Sequence, residues 1–475
     1  MVSYIRGSKK NSFTVIYIGG QFVALAILLI TVFGSSSVER SILFLPFAFF
    51  AVNCLFFTNY VQQDINLTKL MVFALYFVRL SLLPFLYYAS GETRLFEGNI
   101  YMSSNSIQKA VYLMTYEYFI VQLTIFLHEK VKLKSLKLKV SKNQIGYNFF
   151  PTVLLAMTLF AISVYVFLPE VRGAFKNIFM LNTADFTMSG YLASKEQIGS
   201  MRRIIATLFS VIFAMLRILL PAYFLVRAKK KCKSGMFILV ISIIAQFVFI
   251  TSTFAQSIVA ALTIVLLFGH LYPEKRKFLF LMIGVSTVGI VSLYFLVRYS
   301  VGHSIYSNKA SLITYIARIV SAYFTGVENI AGCFNIQKGV EFETAISDFI
   351  GSIPFNTTLF GGWSGDKFQT YFNSANRAYG QISPAIGSGY YRFGWLLSPI
   401  YVVIMLKFSM FYCERARKGA NPWRYAVDTF CCIVFSLGLV MYNEAIAFSW
   451  YFGWGVLMLL ALKFTNKDEF HEIHR

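Results

Sequence analysis

The chain has 475 residues, of which 57% are hydrophobic, 18% aromatic and only 13% charged. Soluble domains carry roughly 25% charged residues, so this composition excludes a string of soluble domains and indicates a multi-pass membrane protein. The net charge of +22 would suit a nucleic-acid binder. The basic runs, however, lie between apolar segments of membrane-spanning length, so no nucleic-acid partner is expected.

A helix needs about 20 apolar residues to cross the hydrocarbon core. The qualifying segments, in chain order, are 13–33, 41–58, 68–89, 110–128, 150–168, 204–226, 236–251, 255–271, 278–297, 393–412, 427–442 and 445–463. The first follows Arg6, Lys9 and Lys10 and reads as a retained signal anchor. The run 236–271 is too long for one span and must turn at the polar stretch Thr251–Ser257; the run 427–463 must turn at Asn443–Glu444. With the N-terminus inside, the basic segments 1–12, 129–149, 227–235, 272–277 and 413–426 all fall on the cytoplasmic side. The longer loops 34–40, 90–109, 169–203 and 298–392 fall outside. The lysines Lys130, Lys132, Lys134, Lys137, Lys139 and Lys142 set topology and touch anionic membrane lipid.

The spacing therefore predicts an all-α integral membrane protein with about 12 transmembrane helices and both termini cytoplasmic. Helices 1–9 occupy residues 1–297, a large extracytoplasmic loop occupies 298–392, and helices 10–12 with a short tail occupy 393–475. The six cysteines form no metal pattern, and only Cys333 lies in the large loop, so no disulfide closes within it.

Three basic residues fall inside spans: Arg79, Arg217 and Lys407. A charge at mid-bilayer costs at least ~2.5 kcal/mol. Lys407 can snorkel. Arg79 and Arg217 need a cavity, an anionic ligand or a buried acid such as Glu117. Pro84 and Pro221 follow the two arginines and can kink their helices.

The large loop has internal order. Apolar residues recur at Leu312, Ile316, Ile319, Tyr323, Val327, Ile330 and Phe334, which marks an amphipathic helix over 311–335 lying at the outer interface. Its polar stripe is Arg318, Ser321, Thr325 and Glu328, placing a cation and a carboxylate about 15 Å apart at 1.5 Å per residue. A plain solvated face is the competing reading of that stripe. From Gly351 to Pro399, Trp363, Tyr371, Tyr379, Tyr390, Tyr391 and Trp395 alternate with glycines. Aromatic faces beside amides and arginines suit sugar rings, although a membrane-interface belt accounts for some of them, Trp395 in particular. Outer-side arginines (Arg298, Arg318, Arg377, Arg392) could fork onto phosphate oxygens. Glu328, Glu341, Glu343, Asp348, Asp366, Glu444 and His303 are the outer-side groups that could act as a base. No HExxH, P-loop or Rossmann motif is present, so neither a metal nor a nucleotide cofactor is expected.

Three stretches of the chain resemble the Wzy-type polymerases of O-antigen and capsular polysaccharide. They are the arginine helix FVRLSLLPFLYYASG, the segment AYFTGVENIAGCF, and GQISPAIGSGYYRFGWLLSPIYVV closing on Tyr-x-x-Phe-Gly. The resemblance implies a metal-independent glycosyltransferase of the bacterial inner membrane without a cofactor. It would move a growing glycan from undecaprenyl pyrophosphate onto the nonreducing end of a lipid-linked repeat unit. A chain-length regulator and a flippase of the same pathway would be its partners. On that reading Arg79, Arg217, Arg298, Arg318 and Arg377 hold the pyrophosphate, Glu328 or Asp366 takes the hydroxyl proton, and Tyr323, Trp363, Tyr390 and Tyr391 hold the glycan. An O-antigen ligase with the same donor, or a transporter or flippase of lipid-linked oligosaccharide, are the rival readings.

Overall fold

The computed structural model describes residues 2–34, 38–61, 66–92, 102–134, 150–168, 171, 200–231, 233–248, 254–275, 312–336, 342–353, 356, 367–377, 382–418 and 421–465. Among these residues the chain is all-helical, with no strand. The helices are α1 (Val2–Phe33), α2 (Leu45–Leu55), α3 (Thr58–Val61), α4 (Leu67–Phe77), α5 (Leu83–Ser90) and α6 (Ser104–Lys134). Then come α7 (Phe150–Phe167), α8 (Ser200–Lys230), α9 (Met236–Val248) and α10 (Phe254–Leu271). The third set is α11 (Leu312–Tyr323), α12 (Val327–Cys333), α13 (Phe342–Gly351), α14 (Lys367–Asn376) and α15 (Ala385–Leu397). The last are α16 (Ile400–Lys418), α17 (Pro422–Gly438), α18 (Glu444–Trp450) and α19 (Leu457–Thr465).

Among the described residues, five helical stretches are long and apolar enough to cross a membrane: Thr14–Phe33, Leu67–Ser90, Ser104–Val131, Ile204–Lys230 and Glu444–Lys463. A sixth exists if α15 and α16, bent by 105° at a short break, form one span. The run 427–463 is divided where polarity rises: α17 ends at Gly438 and α18 begins at Glu444. Of the turn expected at Thr251–Ser257, residues 251–253 lie outside the described residues and residues 254–257 open α10. The predicted span 278–297 and, of the expected loop 169–203, residues 169–170 and 172–199 lie outside the described residues.

The chain divides into two compact units. The first comprises Met1–Lys139, Lys309–Cys413 and Val434–Ser449. Its core is aromatic: Tyr17 stacks on Tyr60 at 4.8 Å, Phe49 on Tyr118 at 5.4 Å, and Tyr76 meets Tyr118 at 4.7 Å. Polar side chains join the same helices, as expected where apolar surface alone does not favour one helix partner over lipid. Tyr118 donates to Asn53 Oδ1 at 2.6 Å, Gln122 Nε2 to the Tyr60 hydroxyl at 2.7 Å, and Asn59 Nδ2 to Gln122 Oε1 at 3.2 Å. Lys69, wholly buried, donates to the Asn59 carbonyl at 3.2 Å and pairs with Glu129 at 3.1 Å.

The second unit comprises Val140–Asn308, Glu414–Ile433 and Trp450–Arg475. Here α8 packs along α7, α9 and α10, and α9 lies against α10. Pro221 sits inside α8 without ending it. Proline lacks the N–H that would bond the carbonyl four residues earlier, that of Arg217. Gln246 Nε2 supplies the missing donor to that carbonyl at 2.9 Å. Neighbouring side chains commonly satisfy backbone freed by proline in this way.

The amphipathic segment 311–335 is two helices rather than one. The ladder breaks at Phe324–Gly326, where Thr325 adopts φ +40°. Three of the four residues of the polar stripe turn inward: Ser321, Thr325 and Glu328 are all at or below 1% exposed, while Arg318 stays partly exposed and Leu312 and Ile313 are exposed. This overturns the solvated-face reading. The stripe bonds within the first unit because it meets other polar groups there: the Ser321 hydroxyl lies 3.0 Å from that of Tyr87, and Thr325 Oγ1 donates to the Val440 carbonyl at 2.6 Å.

Candidate active site at the broken helices

Two buried arginines organise the first unit. Arg79 lies where the α-helical ladder widens into a π-turn over Val78–Leu82, just ahead of Pro84. Single π-turns are frequent at functional sites because they re-aim one side chain. Arg79 is 1% exposed. Its Nη1 donates to both Glu117 oxygens at 3.0 Å, and its Nε donates to the Thr325 carbonyl at 3.2 Å. Tyr76, one turn earlier, donates to Glu117 Oε1 at 2.7 Å. An unpaired charge here would be prohibitive. Glu117 on α6 therefore plays the part of the buried acid, and the Thr325 carbonyl ties the pair to the α11–α12 break. Gly326 completes this corner. A Cβ at that position would run into the Ser321 hydroxyl and crowd the Tyr87 hydroxyl at 3.0 Å and Leu83 Cδ2 at 3.1 Å, so a side chain there would push these groups aside.

Arg392, on α15, is the second. Its Nη1 donates to Glu444 Oε1 at 2.7 Å, to the Ser388 hydroxyl at 2.9 Å and to the Tyr401 hydroxyl at 2.9 Å. Its Nη2 donates to Asp348 Oδ2. Ser388, one turn before Arg392, also donates to Glu444 Oε1. Asp348 further accepts the N–H groups of Lys367, at 2.5 Å, and Phe368, at 3.3 Å, at the start of α14. One cation thus holds two carboxylates, from α13 and α18, in a site almost closed to solvent. The backbone around it is irregular. Gly394 takes φ +77° inside α15, and a Cβ on Gly389 would run into the Ser398 backbone, where α15 bends into α16. Pro399 has no N–H with which to carry the α15 ladder across that bend.

The residues proposed for pyrophosphate do not gather into one cradle among the described residues. Arg79 is held by Glu117, and Arg318, partly exposed on α11, pairs with Glu92 at 3.7 Å. Arg377 is exposed at the end of α14 with φ +48°. Arg217 belongs to the second unit, where Nε donates to Gln246 Oε1 at 2.8 Å and Nη2 to Ser257 Oγ at 2.7 Å. The buried guanidinium groups of Arg79 and Arg217 find local partners because burial demands them. Arg298, Asp366 and Trp363 lie outside the described residues. Lys407 is exposed.

Glu328 is buried in the first turn of α12, close enough to the Tyr87 hydroxyl to act on it electrostatically. Tyr390 meets Phe334 at 4.9 Å and the exposed Trp395 at 6.0 Å, both edge-on; Tyr391 meets Phe368 at 5.5 Å and Tyr371 at 6.2 Å. Tyr323, half-buried, ends α11.

Arg392, Asp348 and Glu444 stand among the outer-side groups in the sequence, with no pattern there that sets them apart as a site. The Ser388–Arg392 spacing of one helical turn was the available signal. Nothing local pointed to acids 44 and 52 residues away. No family model, no curated protein and no solved structure matches this chain.

Proposed function

We propose that this chain is a Wzy-type polymerase of a bacterial inner membrane, with about twelve spans and both termini cytoplasmic. It joins lipid-linked oligosaccharide repeat units on the extracytoplasmic face. The growing glycan leaves undecaprenyl pyrophosphate and is joined to the nonreducing end of a new lipid-linked unit, without metal or nucleotide. The observation that carries this reading is the buried Arg392 held between Asp348 and Glu444 on irregular helices. Non-helical backbone and ionised groups in a membrane protein occur where they line or support a working site, since lipid satisfies neither.

The chemistry asks for three things that the first unit can supply. Two cations of this unit, the exposed Arg377 just past α14 and the partly exposed Arg318 on α11, meet the leaving pyrophosphate. A carboxylate accepts the hydroxyl proton. The aromatic pairs around Tyr390 and Tyr391 offer ring faces to sugars. Arg79 and Arg392, both tied to acids, act as internal struts that hold the α11–α12 and α15–α16 breaks in place.

The test uses purified full-length protein in detergent or liposomes, given lipid-linked oligosaccharides extracted from host membranes deleted for this chain. The expected result, without nucleotide or metal, is a ladder of products spaced by one repeat unit. Transfer of a single block onto a lipid A-core acceptor, with no ladder, would replace the polymerase reading with a ligase.

A further inference from the structure

Three segments of the first unit are linked around one buried spot: α12, the start of α15 and the corner Asn443–Glu444. Asn329 Nδ2 donates to the Ile382 carbonyl at 3.3 Å, and the next residue, Ser383, accepts from Asn443 Nδ2 at 3.2 Å. Cys333 donates its thiol to the Asn329 carbonyl at 3.3 Å and lies within the field of Glu444. A Cβ on Gly387 would collide with the Cys333 sulfur, so α15 and α12 touch there through the glycine.

The two acids that hold Arg392 differ. Asp348 is saturated by Arg392 and two backbone N–H groups. Glu444 is not. Its Oε1 receives Arg392 and Ser388, while its Oε2 is buried with no hydrogen-bond partner among the described residues. Asn329 repeats the pattern on the neighbouring segment, with Nδ2 bonded and Oδ1 buried without a partner. Buried acceptors are almost always matched to a donor. Two unmatched acceptors on linked segments, one of them a carboxylate, fit a ligand that brings adjacent hydroxyl donors. A sugar ring does so.

We infer that Glu444 is the base of the transfer reaction, receiving the proton of the acceptor sugar's attacking hydroxyl on Oε2 while Asn329 Oδ1 accepts from a neighbouring hydroxyl of the same ring. This inference rests on the glycosyltransferase reading. In the step, the hydroxyl oxygen forms a bond to the donor's anomeric carbon. The bond from that carbon to the pyrophosphate oxygen breaks, and its electron pair leaves with undecaprenyl pyrophosphate. The hydroxyl proton passes to Glu444. Arg392 and Ser388 hold Oε1 and fix the carboxylate's rotamer. The other groups facing it are Ser388, Asp348, the Tyr401 hydroxyl and the Cys333 thiol. Glu328, the first choice from sequence, instead faces the Tyr87 hydroxyl.

The test compares full-length wild type with Glu444→Gln, Glu444→Asp and Asn329→Ala, using the same extracted lipid-linked oligosaccharides across a range of pH. A general base contributes roughly 10²–10⁴-fold. Glu444→Gln is therefore expected to lower kcat at least about 100-fold with acceptor KM little changed, and to abolish the acidic limb of the pH profile. Glu444→Asp should recover part of the rate with a displaced acidic limb, and Asn329→Ala should mainly raise acceptor KM. A folded Glu444→Gln protein within about tenfold of wild type overturns the assignment while leaving the polymerase reading intact. Should Glu444→Gln not fold, a Glu444→Asp protein with an unmoved acidic limb overturns it in the same way. A wild type that makes no product from these lipids overturns the polymerase reading itself, and the assignment with it.

Discussion

Replacing Arg79 by methionine separates a strut from a ligand-binding cation. The side chain is 1% exposed and makes two bonds to Glu117 and one to the Thr325 carbonyl. Removing one partner of a buried ion pair costs about 3–5 kcal/mol, because the other charge is left stranded. Glu117 keeps only the Tyr76 hydroxyl, which cannot neutralise it. The freed Thr325 carbonyl adds about 1–3 kcal/mol if no water reaches it. Arg79→Met should thus lose roughly 4–8 kcal/mol, summing those ranges, and Glu117→Met roughly 3–5 kcal/mol. The double variant Arg79→Met/Glu117→Met removes both charges, and apolar replacement of a whole buried pair is often close to neutral. It should recover most of the loss, with a coupling energy of about 3 kcal/mol. Detergent-solubilised protein titrated with SDS and followed by circular dichroism gives the four free energies. Additive losses in the double variant, or an Arg79→Met protein as stable as wild type, would refute the strut. A stable double variant that still makes a product ladder would also show that Arg79 does not hold the pyrophosphate.

Other outcomes follow from the same geometry. Gly389→Ala places a methyl group against the Ser398 backbone; overpacking of this kind costs about 1–3 kcal/mol, and the same SDS titration should register it. Burial, reinforced by Glu444, pushes the Cys333 thiol above its ordinary value. In the native protein it should therefore resist N-ethylmaleimide at pH 8 and react only on unfolding. The sign is that of a group whose folded pKa is raised: its stabilisation is complete below the ordinary thiol pKa near 9 and declines as pH climbs beyond it. Lys69→Met strips the Asn59 carbonyl of a donor and Glu129 of its partner. Because Glu129 keeps some exposure, the expected cost is about 1–3 kcal/mol, less than for Arg79→Met; equal costs would contradict this ranking.

The sequence by itself determined what short range and composition can carry. Apolar length marked the long helices, and the polar corner at Asn443–Glu444 marked where one long run divides, because hydrocarbon tolerates neither charge nor unbonded backbone. It also singled out Arg79 and named Glu117 as the acid that could neutralise it. Periodicity revealed the polar stripe of 311–335 but not its direction, since a helical repeat is the same whether its polar face meets water or the inside of a bundle. Only the tertiary structure decided that Ser321, Thr325 and Glu328 turn inward and that the helix breaks at a left-handed Thr325. Only the tertiary structure joined Arg392 to Asp348 and Glu444. Partners 44 and 52 residues apart are chosen by the packing of whole helices, and nothing in the residues beside them encodes that choice.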